Sequence, residues 1–105
     1  MTTHHGRQAR ILDDVRRERD AQDARFGVQD LPDGTHDVFR SLANQHRDNC
    51  DAAFKGGNGT YRHVFLEEVF EAVAETDPVR LRAELIQAIA VGVKWVEGID
   101  RREGR

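Results

Sequence analysis

One hundred and five residues, 38% of them hydrophobic, 33% charged and 7% aromatic, suffice for one compact core and favour charged helices over a β-sandwich. Sixteen basic residues are dispersed among nineteen acids for a net charge of −3, which argues against a protein that coats nucleic acid, since neutralising phosphates needs a concentrated excess of Lys and Arg. The single cysteine, Cys50, excludes an intramolecular disulfide and a cysteine-rich zinc site, and suits a reducing cytoplasm.

Residues 1–6 carry no apolar period and no signal-peptide stretch, so a flexible N-terminus is expected before a single all-α domain over 7–105. Ile11, Leu12, Val15 and Phe26 form a sparse apolar stripe through a charged segment, which predicts a first helix from about Gln8 to Arg25. The Arg16-Arg17-Glu18-Arg19-Asp20 cluster on it reads as a solvated face. Phe26-Gly27 and the Leu31-Pro32-Asp33-Gly34 turn signal end that helix in a loop. Val38, Phe39, Leu42, Ala43, Cys50, Ala53 and Phe54 predict a second helix with Asp37 as its N-cap. Gly56-Gly57-Asn58-Gly59 stops it; no strand precedes this cluster and no Gly-Lys-Ser/Thr follows it, so it is a linker rather than a phosphate loop.

Thr60 is placed to cap a third helix, Tyr61 to about Glu75. At Thr76-Asp77-Pro78 the chain turns into a fourth helix reaching about Arg101, with Asp77 as N-cap and Pro78 in the first turn, where its missing N–H is harmless. So short a connection predicts antiparallel neighbours. On the third helix, Phe65, Leu66, Val69, Phe70, Ala72 and Val73 fall to one side, and Glu67, Glu68, Glu71 and Glu75 to the other. An ordinary solvated face is one reading. The other starts from like charges at i, i+3 and i+4 that no interleaved lysine relieves and that a divalent cation with oxygen ligands would. In the fourth helix Leu85, Ile86, Ala88, Ile89, Ala90, Val91 and Val93 cover nearly the whole circumference around Gln87. A helix apolar all round is buried all round, which predicts a homodimer or homotetramer. The run is too short to span a bilayer, so no membrane partner and a cytoplasmic location are expected.

The run Leu66-Glu67-Glu68-Val69-Phe70-Glu71-Ala72, followed after twelve residues by Glu84-Leu85-Ile86-Gln87, resembles the Glu-Glu-x-x-Glu and Glu-x-x-Asp pattern of the MazG-like all-α nucleotide pyrophosphohydrolases. The resemblance covers roughly the last 45 residues. It implies a four-helix bundle completed by oligomerisation, and Mg²⁺- or Mn²⁺-dependent cleavage of a nucleoside triphosphate to monophosphate and pyrophosphate. By position it implies Glu68, Glu71, Glu84 and Gln87 as metal ligands and Glu67 as outer-shell or base residue. Gln87 stands where the pattern has Asp, and a neutral amide is a poorer partner for a hard cation. A non-catalytic helical dimer that binds a nucleotide or a protein is therefore the alternative, and Gln87 also fits a buried amide bonded to a partner helix.

For a triphosphate, Arg62, Arg80, Arg82 and Lys94 are the candidate cations, and Trp95 with Phe65 or Tyr61 could stack on a base. Arg62, Lys94 and Trp95 are the expected substrate-binding set, against the plainer readings of surface charge and of a core or interface tryptophan. His63 is a general base, a phosphate contact or a polar residue of the first helical turn; His36 and His46 lack a second ligand at metal spacing. No set for nucleophilic catalysis emerges, and Cys50 is expected to pack within the second helix.

Overall fold

The computed structural model describes residues 4–105. Over these residues the chain is all-α: α1 (His4–Phe26), a 3₁₀ turn (Asp37–Phe39), α2 (Arg40–Lys55), α3 (Tyr61–Ala74) and α4 (Pro78–Arg102), with no strand. No helix among them is long and apolar enough to cross a membrane. The flexible segment expected over 1–6 lies partly outside the described residues; from His4 onward the chain is already helical, a turn before the predicted start. The chain divides into two compact units, residues 1–33 with 93–105, and residues 34–92, so that α4 contributes to both.

In the first unit the opening turns of α1 are tied to the end of the chain. The Arg7 guanidinium donates to the carbonyl oxygen of Arg105 at 2.9 and 3.1 Å, and Arg10 lies 3.9 Å from Asp100. Ile11, Glu97 and Asp100 are buried there. From Leu12 to Gln22 α1 is exposed, and its apolar stripe is too sparse to form a core. Pairs one turn apart brace it instead, Arg16 to Asp13 at 3.2 Å, Arg17 to Asp14 at 3.7 Å and Arg19 to Asp23 at 3.0 Å, each contributing about 0.3–0.5 kcal/mol.

The second unit is organised around α3. Its start follows from local chemistry: Thr60 Oγ1 accepts from the His63 amide, and His63 Nδ1 accepts from the Thr60 amide at 3.2 Å, a reciprocal capping box with histidine in the position usually held by Glu or Gln. Asp77 caps α4 as expected, its carboxylate accepting from the Arg80 amide at 3.0 Å. At the other junction Asp37 is not the cap. His36 is, with Nδ1 accepting from the Val38 amide at 2.9 Å, because the chain makes a 3₁₀ turn before α2 begins. The His36 amide also donates to the Val73 carbonyl at 3.1 Å, anchoring the incoming segment on the end of α3. Gly57, at φ +77°, supplies the left-handed residue that turns the chain out of α2.

Apart from Leu81 on α4, the buried residues of this unit are small: Ala43 and Cys50 on α2, Ala72 and Ala74 on α3, and Ala88 on α4. Small side chains let helices approach closely, so charged neighbours on the flanks are brought within reach of one another. Gly92 faces Phe65, with 3.5 Å between the position of a Cβ and the ring, while Glu84 lies near enough to Glu68 to perturb it. That pairing order is that of antiparallel helices, as the short turn predicted.

The apolar circumference of α4 is only partly covered by its own chain. Within the chain, α4 is not buried on all sides: Leu81 and Ala88 are covered, but Leu85 is 45%, Ile86 51% and Ile89 55% exposed, and Gln87 is exposed with them. The circumference is apolar, yet this unit offers α4 only enough neighbours to cover one stripe, Leu81, Glu84, Ala88 and Val91.

Candidate functional site

Glu67, Glu68 and Glu71 are all half-buried, so the acidic side of α3 is not the freely solvated face that an isolated amphipathic helix would present. At about 100° per residue, Glu67 and Glu71 flank one side of α3 and Glu68 the next. The neighbouring helices meet these sides separately.

On the α2 side, residues 40, 43, 47 and 50 form one stripe facing α3. Arg40 donates to Glu71 at 2.8 Å, and Arg47 stands 4.0 Å from the other oxygen of the same carboxylate. The repulsion along the glutamate run is thus relieved in part by two arginines of a helix distant in sequence, a third possibility beside the solvated face and the bound cation read from the sequence. Cys50, buried beside them, donates its thiol hydrogen to Glu67. Burial, and after it the Glu67 hydrogen bond and charge, push the thiol from 9.0 up to about 11. The folded thiol therefore keeps its proton where an unfolded one loses it. Stability from this site is complete below pH 9.0 and is lost as the pH climbs toward about 11. At pH 8 native Cys50 is expected to react with an aromatic disulfide about a hundredfold more slowly than the unfolded chain, and Glu67→Gln to recover part of that rate. Equal rates in native and denatured protein, followed by absorbance, would dismiss this contact.

On the α4 side, Glu84 lies in the covered stripe and bears on Glu68. Burial, then the charges of Glu67, Glu84 and Glu71, raise the Glu68 carboxyl above its ordinary 4.5. Of the four glutamates singled out in the sequence, Glu67 and Glu71 engage α2, while the charge of Glu84 reaches Glu68 from α4. Among the described residues, however, no three carboxylate, imidazole or thiol side chains stand in metal-binding geometry, and Glu71 is held by its arginines. In donor type the set fits a hard divalent cation, with Glu68 and Glu84 as the facing pair.

The remaining sequence candidates lie elsewhere on their own helices or in the other unit. Gln87 is exposed on α4. Arg62 lies about 180° around α3 from Glu71 and lines a groove with His46, Asn49, Ala52, His63 and Leu66. Lys94, exposed, and Trp95, half-buried, belong to the other compact unit. His63 is the first-turn polar residue, engaged in the cap. Sequence reasoning passed over Arg40 and Arg47, whose role depends on contacts distant in sequence, and set aside His46, which stacks on Phe70 with ring centroids 4.3 Å apart.

No family model matches the chain, and no curated protein and no solved structure matches it.

Proposed function

We propose that this chain is a Mg²⁺-dependent pyrophosphohydrolase of nucleoside triphosphates. What supports the proposal is the half-buried Glu68, whose carboxyl is raised by burial and then by the charges of Glu67, of Glu84 on α4 and of Glu71. An arrangement that raises the energy of the Glu68 carboxylate is more economically explained by a cation than by packing, which apolar residues would serve better. In this reading Glu68 and Glu84 hold the cation, Glu71 joins them on release from Arg40, and Glu67 orients water. The cation, when bound, would offset phosphate charge and activate water for attack. The spacing shared with the MazG-like enzymes supports the same reading, and Mn²⁺ is the expected substitute. The exposed Leu85, Ile86 and Ile89 support a second copy of the chain over α4.

A second reading has its own support. With Glu71 engaged by Arg40 and Arg47, and Gln87 where an acid is expected, the chain is a helical module that binds a nucleotide or a protein without turnover. One experiment separates the two: pyrophosphate release from a panel of nucleoside triphosphates with Mg²⁺ or Mn²⁺, in wild type, Glu71→Ala and Gln87→Asp. Turnover in wild type, lost in Glu71→Ala, is the expected result. A silent wild type rescued by Gln87→Asp would establish the binding module instead.

A further inference from the structure

On the opposite flank of the α2–α3 contact from the glutamates lies a groove of about 440 Å³, within the range of small-ligand sites, lined by His46, Asn49, Ala52, Arg62, His63 and Leu66. No carboxylate lines it, although the chain carries more acids than bases. Neither Arg62 nor Asn49 pairs or hydrogen-bonds with any described residue, so a guanidinium fork and a side-chain amide are both available to a ligand. The third polar group is set by the capping box. Because His63 Nδ1 accepts from the Thr60 amide, the neutral imidazole carries its proton on Nε2, which makes that nitrogen a donor. His46, immobilised by stacking 11° from parallel on Phe70, joins Leu66 and Ala52 as a comparatively apolar wall.

We infer that this groove binds a small phosphomonoester with a flat apolar body: Arg62, His63 Nε2–H and the Asn49 amide take the phosphate oxygens, and the body lies along His46, Leu66 and Ala52. Three donors of different reach suit a tetrahedral oxyanion better than a planar carboxylate, and the guanidinium supplies the charge-assisted pair. The site is independent of the glutamate cluster, since Arg62 lies about 120° around α3 from Glu68 and about 180° from Glu71. It therefore stands or falls without the proposed hydrolase activity.

The test is a titration of the ¹⁵N-labelled full chain with phenyl phosphate, inorganic phosphate and benzoate, followed by NMR at the Asn49 side-chain amide and the His63 imidazole. Phenyl phosphate is expected to give saturable shifts at both, with binding weakened at least about tenfold in Arg62→Gln, restored in part by Arg62→Lys and unaltered in Glu84→Gln. Arg62 is exposed and has no partner among the described residues, so its substitution leaves the melting temperature unchanged and the comparison is between folded proteins. No saturable shift at these residues, or equal affinity in Arg62→Gln, overturns the site. Benzoate binding as tightly as phenyl phosphate overturns the assignment to phosphate, and inorganic phosphate binding as tightly overturns the apolar wall.

Discussion

Replacing Glu84 by glutamine is expected to lower pyrophosphate release by about a hundredfold and, in the same protein, to raise the melting temperature by about 2–4 °C without metal. Both effects come from one cause. Glu84 lies on the covered stripe of α4 and its charge is one of those that push the Glu68 carboxyl upward. Glutamine keeps the volume and the methylene packing and removes the charge, relieving repulsion of about half a kcal/mol, the scale of a like-charge neighbour pair. A purely structural glutamate would show the opposite sign, since a side chain that stabilises its surroundings is missed when it is changed. Added Mg²⁺ should reverse the order, stabilising wild type in proportion to its occupancy and leaving the variant unmoved.

The pH dependence follows from the direction of the Glu68 shift. Its folded carboxyl binds its proton more tightly than the unfolded one, so wild type loses stability as the pH rises through the carboxylate range. The advantage of Glu84→Gln is therefore full at neutral pH and shrinks as the pH falls through the Glu68 value, which lies above the ordinary 4.5. Thermal melts at pH 4 to 8, with and without Mg²⁺, measure all three effects. Unchanged turnover together with unchanged Mg²⁺ stabilisation in the variant would remove the glutamates from any account of function.

Which features could be read from the chain depended on how local their causes are. The start of α3 and the start of α4 were legible because Thr60 and Asp77 bond to amides three residues onward. The start of α2 was misread at Asp37 because the preceding histidine has a ring nitrogen that makes the same bond and the chain takes a 3₁₀ turn first. The approach of Glu84 to Glu68 followed from helix period and a short turn. The Arg40–Glu71 pair did not, since it requires knowing which face α2 lays on α3, and that is decided by small residues such as Ala43 and Ala74 with little weight in a hydrophobic pattern. The apolar circumference of α4, from which a second subunit was expected, is likewise only partly covered within the chain. Periodicity reports how much surface wants covering, whereas the covering itself depends on how many neighbours the fold supplies, and here Leu85, Ile86 and Ile89 are left over.

Ala43→Leu is expected to be among the most damaging single substitutions in the second unit, costing about 2–3 kcal/mol. Ala43 is 0% exposed and lies on the α2 stripe between Arg40 and Arg47, facing α3, so there is no solvent side toward which a larger group can swing. Accommodating three further carbons requires α2 to move away from α3. Against a stability of about 5–15 kcal/mol for a small domain this is a large fraction, equivalent to about 10–20 °C in melting temperature. Ala43→Gly supplies the control: it adds no volume and should cost only about 1 kcal/mol, the difference in helix propensity. The displacement also has a chemical signature, because the stripe that carries Ala43 carries Arg40 and Cys50. As the helices part, the 2.8 Å Arg40–Glu71 bond lengthens and the Cys50 thiol loses both its burial and Glu67. Thiol labelling at pH 8 in the still-folded leucine variant should then accelerate toward the denatured rate, well below its melting temperature. A leucine variant that melts within a few degrees of wild type and keeps a slow thiol would show that α2 and α3 are not in close contact at this stripe. The arginine relief of Glu71, on which the choice between hydrolase and binding module turns, would lose its structural basis.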